Sequence, residues 1–118
     1  MVDILPEIAE MLGDIAPVEL AFHDGTADTP CIILSEIGNS ASVVLSGYDR
    51  YSVITLQLDV YAEDEENARG LAVRASAVLA RKGIKRSFSH FITDEDKPRM
   101  CMRFRFGIDE VSGRTVSV

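Results

Sequence analysis

The sequence predicts an α+β domain: a mostly antiparallel sheet of about five strands with two helices on one face, in the order α-β-β-β-α-β-β. Three stretches carry that expectation. "SVITLQLDVYA" (52–62) alternates. Ile54, Leu56, Leu58, Val60 and Ala62 are uniformly apolar, while Val53, Thr55, Gln57, Asp59 and Tyr61 are mixed. A face that is apolar on one side only suits a sheet covered by helices on that side. "RMCMRFRFGI" (99–108) repeats the pattern, with Met100, Met102, Phe104, Phe106 and Ile108 opposite Cys101, Arg103 and Arg105. Between them, Asp64 to Lys82 has the period of a helix, with Ala68, Leu71, Ala72, Ala75, Val78 and Leu79 on one stripe.

The remaining elements follow in order. Asp3 is placed to cap a first helix, with Pro6 in the tolerated first turn. Ile4, Leu5, Ile8, Met11, Leu12 and Ile15 form its apolar stripe, and Gly13 and Pro17 stop it. "VELAFH" (18–23) reads as a short strand, "DGTADTP" (24–30) as a turn, and "CIILSEI" (31–37) as a strand broken by Gly38-Asn39-Ser40. "SVVLSGYDR" (42–50) reads equally as a short strand with a turn or as a crossing loop. Carboxylates at Glu63 to Glu66 and cations at Arg81 and Lys82 suit the dipole of the long helix, and Gly83 is its expected C-cap. At 1.5 Å per residue that helix spans ~28 Å, close to the ~33 Å of the strand before it. "KRSFSHFIT" (85–93) pairs with 99–108 through "DEDKP", and 109–118 read as a loose tail. Leu56, Leu58, Val60, Leu71, Val78, Met102, Phe104 and Phe106 are expected to share one core.

Length and composition limit the function. The chain of 118 residues suits a single domain over 1–118. Its 47% hydrophobic and 26% charged residues are ordinary for a globular protein. A formal net charge of −7 argues against direct binding to nucleic acid or to an anionic membrane. No apolar run approaches the ~20 residues of a membrane span, and "MVDILPE" lacks the basic region and apolar core of a leader. A soluble cytoplasmic protein is expected. Cys31 and Cys101 have no CxxC neighbour and read as two free thiols.

The chemistry-bearing residues form no recognisable set. Glu63-Asp64-Glu65-Glu66 lacks the glycine that bends a cation loop, so it reads as a solvated helix start. Asp94-Glu95-Asp96 reads as a polar hairpin tip. His23 and His90 lie in separate strands with no nucleophile placed beside them. Ser35, Ser40, Ser42 and Ser46 sit in no nucleophile elbow, and the glycines form no phosphate-binding loop. Arg103 and Arg105, on an outer sheet face, could form an anion site, and read rather as cross-strand partners of Asp59 or another acid. Neither an enzyme activity, a metal nor a cofactor is expected.

The long helix carries a second stripe. Gly70, Val73, Ala77 and Ala80 recur at i, i+3, i+7 and i+10, roughly opposite the first. Three readings stand: the first helix packs on it, it is plain alanine in water, or a second subunit docks there.

"YDRYSVITLQLDVYAEDEENARGLAVRASAVL" (48–79) resembles the middle of the tail-terminator, or tail-completion, proteins of long-tailed phages and prophages. The shared features are a tyrosine-led strand ending in Tyr61-Ala62, a polar turn, and an Ala-rich helix opening at Glu66-Asn67-Ala68. The layout agrees over residues 1 to about 110. The resemblance implies a structural role: a ring, typically a hexamer, at the head-proximal end of the tail tube. Such a ring ends tail polymerisation and presents a surface for head joining. Its implied partners are copies of itself, the tail tube protein and head–tail connector proteins. Its implied place is the host cytoplasm during assembly and then the virion tail. One departure is "GNSASVVLSGYD", shorter and less charged than a loop facing a partner ring would be. A connector or neck component is the neighbouring alternative, and a ferredoxin-like small-molecule-binding dimer or enzyme the more distant one. Under the assembly reading Gly70, Val73, Ala77, Ala80, Arg103 and Arg105 are the candidate subunit contacts.

Overall fold

The computed structural model describes residues 4–20, 30–43, 49–92, 98–109 and 112–116. Two helices and six strands follow in the order α1 (Leu5–Leu12), β1 (Val18–Leu20), β2 (Cys31–Val43), β3 (Asp49–Tyr61), α2 (Glu65–Ala80), β4 (Lys85–Ile92), β5 (Arg99–Asp109) and β6 (Thr115–Val116). The sheet runs β1-β2-β3-β5-β4, with β6 paired to β5 off that path. The α+β class and the two helices are as expected, and among the described residues a helix comes first and three strands follow it. The expectation of a mostly antiparallel sheet is corrected: the sheet is mixed, because β1 runs parallel to β2 while the other pairings are antiparallel. Alternation along three residues is the same in either direction, so the residues of β1 do not reveal its orientation.

Register explains the core. Across β2, β3 and β5, Ile32 stands beside Val60 and Val60 beside Met100; Leu34 beside Leu58 and Leu58 beside Met102. Leu56 and Ile54 continue the rows against Phe104 and Phe106. All of these belong to one buried cluster, which Ile8 and Leu12 of α1 and Ala72, Ala75 and Leu79 of α2 complete from the same side. α2 packs on β3, β4 and β5, while α1 packs on β1, β2 and α2. Leu71 and Val78 are half-buried against this cluster rather than within it.

Several boundaries move for local reasons. Asp3 lies outside the described residues, and the residue at the N-cap of α1 is Ile4, which makes no side-chain cap, with Pro6 in the first turn. Gly38 does not end β2. The strand continues to Val43 through an irregularity between Glu36 and Gly38, where the missing Cβ of Gly38 faces the Thr55 side chain 3.7 Å away. β3 is therefore 13 residues long, or ~43 Å. The 16 residues of α2 span only ~24 Å, so the expected match of lengths does not hold and the sheet outruns its helix.

The long helix has both ends satisfied. Asp64 caps it, accepting the Asn67 backbone N–H at 2.8 Å. At the other end Ile84 N–H donates to Leu79 O and Gly83 N–H to Ala80 O, with Gly83 at φ 81°. This is a Schellman stop, and its hydrophobic partners Leu79 and Ile84 are both fully buried. Within the tail, Thr115 and Val116 pair with Ile108 and Gly107. The Thr115 hydroxyl donates to Lys82 O, which ties the chain end to the turn after α2. Leu58 has no exposed surface, so Leu58→Ala should cost ~2–5 kcal/mol. Chemical denaturation checks this, and a loss under ~1 kcal/mol would refute the assigned packing.

Candidate functional site

Two surfaces carry the residues singled out by sequence: the outer face of α2 and the face of the sheet opposite α1 and α2. On α2 the buried stripe is Ala68, Ala72, Ala75 and Leu79. Gly70, Val73, Ala77 and Ala80 all point away from it and are exposed. Val73 stands out at 68% exposure. Of the three readings of this stripe, packing by α1 is not the arrangement found. α1 touches α2 without burying the stripe, and an ion pair between Glu7 and Lys82 joins the two helices at the surface. Between the helices runs an open groove of about 610 Å³, floored by Met11, Ile15, Ala77 and Val78 and rimmed by Arg74 and Arg81. Only Ala77 of the stripe reaches this groove. A Cβ added at Gly70 would meet nothing within 4 Å, so no contact within the chain requires glycine there.

On the sheet face, strand register decides which polar groups meet. Asp59 stands beside Cys101 and Gln57 beside Arg103. Asp59 is buried and accepts from Gln57 Nε2 at 3.0 Å and from an Arg99 guanidinium nitrogen at 3.3 Å. The expected pairing of Asp59 with Arg103 or Arg105 is thus corrected: its cation is Arg99. Both arginines share the face with Asp59, but Arg99 reaches its carboxylate diagonally across the strand pair. Arg103 lies instead over the Phe88 ring, 5.8 Å from its centroid, and Arg105 stands beside Thr55 and Lys85. Both arginines are exposed. Sequence reasoning missed Arg99, because a diagonal contact follows from register and rotamer rather than from spacing.

Neither Cys31 nor Cys101 is in a disulfide, and both are buried. Burial raises the Cys101 thiol from 9.0 to about 11, with the Asp59 charge and a hydrogen bond to Asp59 adding to the rise, while Arg99 and Arg103 pull the other way. The thiol is therefore neutral and a poor nucleophile at neutral pH. His90 is exposed on β4, 6.4 Å from Phe88 ring to ring. His23 and Asp94-Glu95-Asp96 lie outside the described residues. Among the described residues, no three histidines, cysteines or acids gather as a metal site. Glu63 to Glu66 are exposed; Asp64 acts as the helix cap and Glu65 pairs with Arg69 at 2.9 Å.

No protein-family model matches the chain, and no curated protein matches it at a significant level. No helix among the described residues is long and apolar enough to cross a membrane.

Two outcomes follow from this geometry. Gly70→Ala should stabilise the isolated chain by ~0.5–1 kcal/mol, since alanine is the better helix former and meets open space. Thermal or urea unfolding reads this directly. The raised thiol of Cys101 means that the folded state holds its proton more tightly than the unfolded state. Its contribution to stability is complete below about pH 9 and is lost as pH rises toward about 11. The urea midpoint of the wild type should therefore fall more steeply over that window than that of Cys101→Ala.

Proposed function

We propose that the chain is a structural assembly protein of the tail-terminator type, forming a ring of identical subunits at the head-proximal end of a phage tail tube. In this reading it ends tube growth and presents a surface to head–tail connector proteins, without catalysis. The observation that carries the proposal is the outer stripe of α2. A valine at 68% exposure, flanked at helical spacing by glycine and alanine, makes a smooth, weakly apolar surface that permits close approach by another backbone. The resemblance of residues 48–79 to tail-terminator proteins supplies the assembly to which such a surface belongs. A rigid one-sided sheet suits that role, because a ring subunit must hold several contact surfaces in fixed relation.

Val73→Asp tests the reading. Since Val73 is exposed, the isolated variant should keep its stability within ~0.5 kcal/mol. Sedimentation should then show rings lost, and tail-completion assays should fail. A variant that folds and assembles as the wild type does would remove the α2 stripe from the interface.

A further inference from the structure

Charge is divided across the sheet. All 12 lysines and arginines lie at or beyond Arg50, so α1, β1 and β2 carry acids and no lysine or arginine. Glu10, Asp14, Glu19 and Glu36 are exposed there. Strand order puts β1 and β2 at one edge and β4 at the other. β4 opens with Lys85-Arg86, and its register sets Lys85 beside Arg105 and Phe88 beside Arg103. All four cations are exposed, and no acid occurs in 85–92 or 99–108. In a chain of net charge −7 the strand residues of this edge are thus cationic, and the acids Asp94, Glu95 and Asp96 fall in the segment that joins β4 to β5.

Exposed apolar side chains are divided in the same way. Leu20 and Ile37, at 47% and 46% exposure, lie on the acidic edge, and Phe88, at 48%, lies on the basic one. Among the described residues the edge backbone is also open. β1 covers β2 only at Ile32–Leu34. Among the described residues no further strand pairs with the outer side of β2 or of β4.

We propose that these edges join copies of the chain head to tail, with the β4 edge of one copy docking on the β1–β2 edge of the next. The inference rests on the assembly reading above and deepens it by naming the surface and the partner. Opposite charge favours this pairing, and like charge opposes the symmetric alternatives, β4 to β4 or β2 to β2. Direction agrees as well. Successive antiparallel pairings make β4 antiparallel to β2, so a copy in the same orientation meets β4 as an antiparallel strand. The irregularity between Arg86 and Phe88 and the edge charges keep β4 from pairing with arbitrary strands. Different patches on the two partners make the contact heterologous, the kind that closes into a ring when the rotation fits.

Charge reversal tests this. Sedimentation across a concentration series should show wild-type assembly weakening as NaCl rises from about 0.1 M to about 1 M, as screening of edge charges requires. K85E/R86E and E36K should each assemble at least about tenfold more weakly while keeping the wild-type melting curve. Mixing the two variants should restore assembly, since each then meets an edge of opposite charge. Wild-type assembly that neither variant weakens would overturn the edge contact and leave the assembly reading intact. A wild type that is monomeric throughout would overturn both. Binding of the monomer to heparin, lost in K85E/R86E, would then assign the cationic edge to a polyanion instead.

Discussion

The register of β2, β3 and β5 is the constraint on which the rest of this structure depends. It lines up Ile32, Val60 and Met100, then Leu34, Leu58 and Met102, as unbroken apolar rows. A slip of one residue in β3 would send Leu56, Leu58 and Val60 to the other face and bring Gln57 and Asp59 under the helices. Burying that carboxylate against apolar side chains would cost several kcal/mol. The pairing is therefore held by what it keeps out of the core as much as by what it buries.

Both helices answer to that single face. α2 is docked by Ala68, Ala72, Ala75 and Leu79, mostly small residues that let its backbone lie close to the sheet. Its Schellman stop turns Ile84 into the same core and starts β4 in register with β5. The other face relies on polar order. Asp59 gathers Gln57, Arg99 and the Cys101 thiol, a buried group satisfied by neighbours on its own and adjacent strands.

A one-sided sheet leaves an outer helix face and two strand edges to meet whatever lies outside the chain. The α2 stripe was legible in sequence as a period, because i, i+3 and i+7 spacing survives without any structure. Its exposure was not legible, because a small-residue face serves a neighbouring helix and an outside partner equally well. Only the folded chain, in which α1 leaves Gly70, Val73, Ala77 and Ala80 exposed, separates these. The same holds for Arg103 and Arg105. Alternation put them on the face of Asp59, yet Arg99 takes that carboxylate and Arg103 lies over Phe88.

By itself the sequence determined the class of fold, the two faces of β3 and β5, the helix spans to within a few residues, and the lack of lysine and arginine before Arg50. These are local or periodic properties, written by neighbouring residues. Tertiary structure alone decided the parallel course of β1, the continuation of β2 through Gly38 and the partner of Asp59. It also decided that β1 and β2, which lack lysine and arginine, and β4, which opens with Lys85-Arg86, stand at opposite edges of one sheet. Each of these depends on which strands become neighbours and in which direction they run. That choice is made by the whole core at once, and no short stretch of the chain encodes it.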